Sequence, residues 1–363
     1  MAQLSNLKKP LDGVRILDLS RLFPGPLCTH YLTELGAEVI KIEDPNGGDY
    51  ARATFVSEDK TESGSEPMSN FFKHANRGKK SVTLNLGTKL DQSKLHKLAL
   101  TADVVVESFR PGVADRLGAG YTELSGINPR LVYVSITGYG QTGESRNKAG
   151  HDLNYLASSG LLDQLRDGSG VPIIPRFQLA DVFGGAIHGV TAVLAGIVRR
   201  ERFGLGSYTD ISMTECCMPL STAPLTMEGA STSPIDGTFA CYQIYPTKDG
   251  QYIAMGAAEP KFWANFCNAV ERPDWIETQY SLGSIARKLK AEVGDLFKTK
   301  TQSEWCQILD AVDCCFTPVV TAENVLKKTT QMPLSMPLKI SGLTFNVSSK
   351  APKLGEHNSE FIS

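Results

Sequence analysis

The sequence predicts an α/β protein with a large Rossmann-like domain, built on a parallel sheet, and a smaller α+β domain. Short apolar segments typical of strands alternate with segments of helical periodicity, and this alternation produces parallel sheets covered on both faces. The chain has 363 residues, of which 41% are hydrophobic. This length exceeds the usual size of one compact domain, so we expect two.

The large domain is predicted from six strand-like segments and the helical segments between them. Pro24-Gly25-Pro26 ends the first strand and precedes a helical stretch that stops at Gly36. Asp91 to Leu100 has helical character, and the small residues from Gly184 to Arg202 indicate a well-packed helix. The predicted strands are Val14–Leu19, Glu38–Glu43, Val82–Leu86, Asp103–Glu107, Leu131–Ile136 and Tyr208–Met213.

A second unit is predicted to begin near Pro234. Cys241 to Tyr245 and Gln251 to Met255 form an apparent hairpin around Lys248-Asp249-Gly250, and helical segments follow from Lys261 to Ala311. In the first unit, the polar stretch from Ser57 to Met68 buries too little apolar surface to join a core. We interpret it as a mobile loop.

Composition excludes several classes of partner. The formal charge of −2 gives no basic field for nucleic acid, so small neutral or anionic ligands are expected. The eight cysteines lack Cys-x-x-Cys or zinc-ligand spacing, which favours buried thiols in a reducing compartment and no metal. No apolar signal core, no run of about 18 apolar residues and no Ser-Lys-Leu ending is present, so we expect a cytoplasmic protein without a membrane span.

The most informative segment pairs a histidine with an aspartate. His151 stands in Gly150-His151-Asp152-Leu153-Asn154-Tyr155, and Asp181 follows thirty residues later in Leu179-Ala180-Asp181-Val182-Phe183-Gly184-Gly185. An imidazole and a carboxylate, each beside small residues, are suited to moving a proton. Because Asp152 is equally suited to capping a helix that begins at Leu153, we assign it to positioning.

A glycine-rich motif needs a separate interpretation. Gly138 to Gly143 matches Gly-x-Gly-x-x-Gly after a strand, which is half of a dinucleotide fingerprint. No helical period follows from Glu144 to Asp152, so no helix N-terminus is expected to hold a pyrophosphate. A glycine-rich loop beside an active site is the better interpretation.

Taken in order, these motifs resemble the family III coenzyme A-transferase superfamily, and most closely its alpha-methylacyl-CoA racemase branch. The resemblance spans nearly the whole chain, and the His151 and Glu259 segments are its most selective parts. Besides Gly150 to Tyr155, it rests on Leu11–Leu19, Pro24-Gly25-Pro26, Leu35–Glu43, Asn76–Ser81, Glu107–Gly112, Thr137–Gly143 and Gly256–Phe262.

The resemblance implies a racemase in which His151 and Asp181 exchange a proton on opposite faces of an acyl-CoA α-carbon, with Glu259 as a further catalytic residue. In the transferase branch the aspartate is instead a nucleophile that forms an acyl-enzyme anhydride. The histidine therefore separates the two branches. A non-catalytic coenzyme A-binding protein is the third hypothesis, although Glu259 also suits a charge at a helix N-terminus.

The resemblance also implies where coenzyme A lies; it is part of the substrate, and no other cofactor is expected. The cations near family-like turns are Arg77, Lys79, Lys80, Arg110 and Arg116. The backbone of Leu84, Asn85 and Leu86 and the residues Gly150, Asp152, Leu153, Asn154 and Tyr155 are implied along the ligand. Two positions depart from the racemase pattern: Asp44 replaces a common arginine, and Ala186 replaces a glycine where its methyl group is expected to tighten the acyl pocket.

An interlocked homodimer is implied as well, with each site between the large domain of one subunit and the small domain of the other. Residues 1–215, completed by 345–363, form the large domain and 234–322 the small one, with linkers at 216–233 and 323–344. We further hypothesise that backbone N–H groups at the start of the helix after Asp181 meet the enolate charge, with Gly184 and Gly185 allowing close approach.

Overall fold

Six parallel strands form one sheet in the first of two units of the computed structural model. Their order is β3-β2-β1-β4-β5-β6. The predicted parallel sheet is confirmed, and only β3 is displaced, because it starts at Lys80 and ends at Thr83. The strands are β1 Arg15–Leu19, β2 Glu38–Glu43, β3 Lys80–Thr83, β4 Val104–Glu107, β5 Val132–Thr137 and β6 Ser207–Ser212.

The structure describes residues 8–54, 68–222, 235–329, 332–343 and 350–362. Contacts divide the chain into unit 1, Met1–Thr222 with Met332–Ser363, and unit 2, Ala223–Gln331. The loop predicted from Ser57 to Met68 lies outside the described residues except for Met68. Residues 216–222, which the sequence assigned to a linker, form the end of a helix in unit 1.

Strand order creates a crevice at the carboxyl edge of this sheet. From β1 the chain proceeds outward to β2 and β3, whereas β4, β5 and β6 extend in the other direction. The connections that leave β1 and β4 therefore diverge, and such a switch point is where open α/β sheets bind ligands. The strands are buried because helices cover both faces, with a separate apolar core on each side.

Helices in unit 1 follow the strands in alternation. Helix α7 is one continuous helix from Ala180 to Phe203, whose first part, Ala180–Ile187, is π-helical. The helices are α1 Pro24–Glu34, α2 Asn70–Asn76, α3 Lys89–Ala99, α4 Val113–Arg116, α5 Tyr121–Ile127, α6 Asp152–Ser158, α7 Ala180–Phe203 and α8 Met213–Thr222. The backbone N–H of His357 donates to the carbonyl of Ser81 in β3.

Helix α7 is the one helix in the described part of the chain that is long and apolar enough to cross a membrane. It packs against α1, α8 and β5. Val190 and Val193 on its inner side belong to the apolar core of the sheet. The inner side of this apolar helix is therefore buried against the sheet.

Unit 2 has a small antiparallel sheet of strands β7, β8 and β9, covered by helices. The predicted hairpin is present, since Tyr242 pairs with Gly256 and Pro246 with Tyr252. Trp263 and Trp305 are buried in its core. The elements are β7 Tyr242–Pro246, β8 Tyr252–Gly256, β9 Phe316–Pro318, α9 Pro260–Ala269, α10 Gly283–Phe297, α11 Gln302–Leu309 and α12 Ala322–Lys328. A short helix, α13 Asn358–Phe361, follows in unit 1.

Candidate active site

His151 stands at the N-cap of helix α6, at the end of the glycine-rich segment that follows β5. Its backbone N–H donates to Asn154 Oδ1 at 3.0 Å, and its carbonyl accepts from the Asn154 N–H at 2.8 Å. These two bonds fix the backbone at the start of the helix. The residue is exposed, so its imidazole is open to a ligand.

Asp152 joins the start of α6 to the start of α7. Its buried carboxylate accepts the backbone N–H of Asp181 at 2.9 Å and also accepts from the N–H of Ala180. It therefore caps the helix that carries Asp181 rather than its own helix. His151 and Asp181 consequently stand at two helix starts that one side chain holds together.

Asp181 is partly buried at the first turn of α7. Burial, and to a smaller extent the negative charge of Asp152, raises the pKa of its carboxyl group to about 7. An aspartate of ordinary pKa, near 4, is almost fully ionised at neutral pH, whereas Asp181 is about half protonated there. In this site it exchanges a proton readily near pH 7.

Tyr155 forms the floor of the site. Its hydroxyl donates to the Gly150 carbonyl at 2.5 Å, and its ring meets that of Tyr139 edge to face. Burial is the main cause that raises the pKa of Tyr155 to about 12; Asp181 acts in the same direction and Arg110 in the opposite one. These electrostatic interactions place both Asp181 and Arg110 close to this ring.

The glycines around this tyrosine are required by packing. A Cβ on Gly138 would stand 2.1 Å from the Tyr155 ring, and one on Gly150 would stand 2.8 Å from it. Both distances are shorter than any real contact of a Cβ atom. The glycine-rich segment therefore approaches the Tyr155 ring, which explains its composition without a dinucleotide.

The expectation for Gly184 and Gly185 is corrected. Both are buried, and added Cβ atoms would stand 2.7 Å from the Met213 carbonyl oxygen and 2.6 Å from the Pro24 Cβ. They let α7 pack closely against α8 and α1 rather than letting a substrate approach. Ala186 is likewise fully buried in the core, so its methyl group does not tighten an acyl pocket.

The predicted enolate site at the start of α7 is also corrected. The backbone N–H groups of Ala180 and Asp181 bind the Asp152 carboxylate, and that of Val182 donates to the Gln178 carbonyl at 3.1 Å. A helix start attracts anions through its unpaired N–H groups. Since these three groups already have acceptors inside the protein, they are not open to an enolate oxygen.

Two of the residues predicted to bind phosphate instead bind buried groups of the protein itself. Lys79 is buried, and its Nζ donates to Asp18 Oδ2 at 2.9 Å, to Thr29 Oγ1 and to Asn76 Oδ1. Burial is the main cause that lowers the pKa of Lys79 to about 8; Asp18 acts in the opposite direction and Lys41 in the same one. Its charge neutralises Asp18, so the prediction that Lys79 binds a phosphate is corrected.

Arg77 is corrected for the same reason. Its guanidinium is buried and donates to Glu34 Oε1 at 2.9 Å, to the Pro333 carbonyl and to Ser335 Oγ. The arginine fastens the returning chain to α1 and has no exposed donor group to offer a ligand. Lys80 also forms ion pairs within unit 1, with Glu38 and Glu360.

The other predicted ligand residues lie at or near the carboxyl edge of the sheet. Arg110 and Arg116 are exposed in and after the turn that leaves β4, and Arg116 Nη1 donates to the Gly112 carbonyl at 3.3 Å. Asn85, between the buried Leu84 and Leu86, is exposed just beyond β3. In α6, Leu153 and Asn154 are exposed beside His151.

Glu259 belongs to unit 2, where it is the N-cap of α9. Its backbone carbonyl accepts from the N–H groups of Phe262 and Trp263, and its exposed carboxylate acts electrostatically on Tyr280 and Cys315. This is the placement expected of a charge at a helix N-terminus. Its catalytic role remains a prediction.

The sequence did not identify Arg21 as a candidate site residue. Arg21 lies two residues after the end of β1, between the rings of Tyr50 and Phe109, at 5.3 and 5.4 Å from their centroids. The signal in the sequence is its position, since a polar residue that follows a strand at a switch point faces the crevice. Nothing else in the sequence distinguishes Arg21 from the other arginines of the chain.

The eight cysteines are all free, and five of them are buried. Burial raises the pKa of Cys217 and Cys314 to about 11, so both thiols are protonated at neutral pH. In the part of the chain that the structure describes, no three His, Cys, Asp or Glu side chains are grouped as metal ligands.

The doubly wound sheet and the groups gathered at its carboxyl edge define an α/β enzyme with a small-molecule site at the ends of its strands. Comparison with known proteins specifies the class. The chain belongs to CoA-transferase family III, whose sequence model matches residues 11–358.

Relatives of two kinds are found at similar identity. The chain is 33% identical to the probable fatty acyl-CoA transferase Rv3272 of Mycobacterium tuberculosis, over 99% of this chain and 98% of that one. A crystal structure of Rv3272 superposes with a TM-score of 0.83, covering 98% and 100%. The human alpha-methylacyl-CoA racemase is 32% identical over 97% and 92%, and the human succinyl-CoA:glutarate CoA-transferase 31% over 89% and 74%. The family is thus established, and both reactions are represented among its relatives.

Proposed function

We propose that this protein epimerises 2-methylacyl-CoA thioesters by transferring a proton at the α-carbon. The observation that carries the proposal is the Asp152 carboxylate, which follows His151 in the chain and binds the Asp181 backbone at 2.9 Å. An imidazole and a carboxyl group are thereby held on neighbouring helix starts. Two proton-transfer groups on opposite sides of one carbon are what inversion requires.

The reaction follows from the acidity of the substrate. A proton on the carbon next to a thioester is weakly acidic, because the carbonyl accepts the electron pair of the broken C–H bond as an enolate. His151 takes this proton, and the protonated Asp181 carboxyl delivers another to the opposite face. The imidazolium and carboxylate left behind return to their first states by exchange with solvent, and the reverse epimer uses the groups in the opposite roles.

The raised pKa of Asp181 suits this exchange. A carboxyl group with a pKa of about 7 is partly protonated and partly ionised at neutral pH. It is therefore able to act as acid for one epimer and as base for the other at similar cost. An aspartate of ordinary pKa would be a poor acid at this pH.

The ligand in this proposal is the thioester itself, with coenzyme A as part of the substrate and no further cofactor. Arg110, beside Tyr155, and the exposed Arg116 are the cations proposed to face it, together with the backbone from Leu84 to Leu86. We also propose that the functional form is the interlocked homodimer implied by the resemblance. In that form Glu259 would serve the site of the other subunit.

A transferase is the second candidate, and the identity of 31% to the human succinyl-CoA:glutarate CoA-transferase favours it. In that reaction the Asp181 carboxylate attacks the thioester carbonyl, and coenzyme A leaves as its thiolate, giving a mixed anhydride. The thiolate then attacks the aspartyl carbonyl of this anhydride, which releases the donor acid as a carboxylate and leaves Asp181 as its coenzyme A thioester. An acceptor carboxylate attacks that thioester, and the released thiolate attacks the acyl carbonyl of the new anhydride, giving the new acyl-CoA and free Asp181. This route needs ionised Asp181 and makes no use of His151.

The two reactions separate in one assay. A chiral 2-methylacyl-CoA is incubated in deuterated water, with and without a carboxylic acid acceptor, and epimer ratio, deuterium content and new thioester are measured. We expect epimerisation and deuterium uptake without acceptor, and loss of both in His151→Gln and Asp181→Asn. His96→Gln is the matched control, because His96 lies on α3, outside the site, where its ring hydrogen-bonds to the Gly118 carbonyl.

The outcomes are distinct. New thioester that requires the acceptor and survives His151→Gln would establish the transferase. Coenzyme A binding without either reaction would leave a binding protein. Deuterium uptake at the unmodified rate in both site variants would exclude His151 and Asp181 as the proton-transfer groups.

A further inference from the structure

We propose that Arg21, held between Tyr50 and Phe109, binds a phosphate group at the nucleotide end of the coenzyme A moiety. The proposal rests on the proposed function only in taking a coenzyme A thioester as the ligand. It adds a specificity-determining residue at the end of the site opposite the reacting carbon.

Arg21 bridges the switch point of the sheet. It lies two residues after the end of β1, and its backbone N–H donates to the hydroxyl of Ser108, which directly follows β4, at 3.0 Å. The strands β1 and β4 pair in the middle of the sheet, where the connections diverge. Arg21 thus lies across the crevice in which sheets of this kind hold their ligands.

The guanidinium is fixed before any ligand arrives. Its carbon is 5.3 Å from the Tyr50 ring centroid and 5.4 Å from that of Phe109, and Nη1 donates to the Tyr50 hydroxyl at 3.2 Å. The two rings come from different connections, after β2 and β4. Stacking of this kind restricts an arginine and lowers the entropy lost on binding.

The turn beneath Arg21 is fixed as well. Leu22 adopts the left-handed conformation, with φ of 65°, which is costly for a residue with a branched side chain. Its backbone N–H donates to Asp49 Oδ1 at 3.0 Å, and Asp49 is buried with Lys41 at 3.0 Å. A strained turn held by a buried ion pair is typical of a functional position.

The charge of Arg21 has no carboxylate partner in the part of the chain that the structure describes. None of the ion pairs among the described residues includes Arg21, whereas Arg52, Arg77 and Arg200 each bind a carboxylate. Because its neighbours are rings, the donors at the edge of the guanidinium remain for an external anion. Its planar fork matches a phosphate, which accepts two parallel N–H bonds.

The phosphate position is continuous with the reactive site. Arg110 directly follows Phe109 and acts electrostatically on Tyr155, which in turn feels Asp181. Asp181, Tyr155 and Arg110 are thus neighbours in unit 1, and Phe109 beside Arg110 contacts Arg21. Coenzyme A has its thioester at one end and its phosphates at the other, and this edge offers a matching group for each.

The test is calorimetric binding of three ligands at fixed ionic strength: coenzyme A, 3′-dephospho-coenzyme A and pantetheine, which lacks the nucleotide. For Arg21→Gln we expect about tenfold weaker binding of coenzyme A, the loss typical of one charge-assisted hydrogen bond. Pantetheine binding should stay unchanged. Arg202→Gln, which removes an equal charge at the exposed end of α7, is the matched control.

The ligand series identifies the phosphate. If the effect of Arg21→Gln disappears with 3′-dephospho-coenzyme A, the 3′-phosphate is the partner; if it persists, the pyrophosphate is. Tyr50→Leu provides a second variant, because Tyr50 is 64% exposed and its ring is dispensable for the core. It should weaken coenzyme A binding and leave pantetheine binding unaffected.

Failure of this inference is separable from failure of the proposed function. Equal coenzyme A affinity in the wild type, Arg21→Gln and Tyr50→Leu would overturn the role of Arg21 and leave the epimerase proposal standing. An equal loss of pantetheine affinity in these variants would also overturn the role of Arg21. No binding of coenzyme A by the unmodified protein would instead contradict both proposals.

Discussion

The carboxylate of Asp152 accepts the backbone N–H of Asp181 at 2.9 Å, and its negative charge adds to the burial that raises the Asp181 pKa to about 7. One side chain thus fixes where Asp181 stands and contributes to how readily it holds a proton. Neither effect requires Asp152 to touch a substrate. Asp152 is accordingly a positioning residue, and its two effects are separable by substitution.

Asp152→Asn is expected to lower the pKa of Asp181 while keeping its position. The amide oxygen still accepts the Asp181 N–H, but the negative charge that opposes ionisation is gone. For the epimer whose proton Asp181 removes, deuterium uptake rises with pH through the Asp181 pKa. This rise should shift to lower pH in Asp152→Asn, as measured by the pH profile of deuterium uptake.

Asp152→Ala is the companion variant, because it removes both the charge and the acceptor. It should cost about 1 to 3 kcal/mol of unfolding free energy through the unpaired N–H groups and slow the exchange at every pH. A pH profile of Asp152→Asn that coincides with that of the wild type would contradict the electrostatic role.

Much of the sheet was predictable because its strands are apolar and bounded by turns. β3 was displaced because its first residues, Lys80 and Ser81, are polar and look like a loop. Their backbones pair with β2, while Lys80 binds Glu38 and Ser81 binds Glu43. The side-chain partners that allow a polar strand start lie on another strand, and a local pattern does not reveal them.

The pair His151 and Asp181 was identified from motifs, whereas the roles of the cations were not predictable. Lys79 and Arg77 find their carboxylates on Asp18 and Glu34, both far away in sequence. A cation that neutralises a buried acid has the same local sequence as one that binds a ligand. Only the fold distinguishes them, and it also reveals Arg21.

Asp181→Asn is expected to stabilise the protein at high pH. The folded-state pKa of about 7 lies above the ordinary value near 4, so the wild type loses stability as pH rises from about 4 through 7. The asparagine variant carries no charge and escapes this loss. Its advantage should be near zero at pH 4 and about 4 kcal/mol at pH 8.

Urea unfolding at both pH values measures this difference. Asp310→Asn, at an exposed carboxyl group, is the matched control and should show no comparable gain. A difference between wild type and Asp181→Asn that stays flat with pH would show that Asp181 does not titrate in this range in the folded protein.

Lys79→Met is expected to destabilise the fold without a specific effect on ligand binding. The Lys79 ammonium is buried 2.9 Å from Asp18 Oδ2, and the loss of one partner of a buried pair costs about 3 to 5 kcal/mol. Arg110→Gln, at an exposed site, should leave stability within about 0.5 kcal/mol. Urea unfolding gives both values.

Coenzyme A binding by the folded fraction should show the reverse order. Arg110→Gln should weaken it, and Lys79→Met should not. If Lys79→Met were fully stable and bound coenzyme A weakly, the lysine would be a ligand residue after all, and the buried pair with Asp18 would be secondary.

Gly185→Ala is expected to impair proton exchange more than its effect on stability alone would explain. The added Cβ would stand 2.6 Å from the Pro24 Cβ and 3.0 Å from the Met213 sulfur, so α7 must move away from α1. Overpacking costs about 1 to 3 kcal/mol, partly offset by the better helix propensity of alanine. Because Asp181 lies one helical turn earlier, the same movement displaces it relative to His151. The rate of deuterium uptake, measured under conditions in which the variant is fully folded, reports that displacement.

Gly126→Ala in α5 is the matched control, since its Cβ would meet nothing within 4 Å. It should stabilise the protein by about 0.4 to 1 kcal/mol and leave the exchange rate unchanged. If both alanine variants exchanged deuterium at the wild-type rate, the close packing of α7 would not be what sets the position of Asp181.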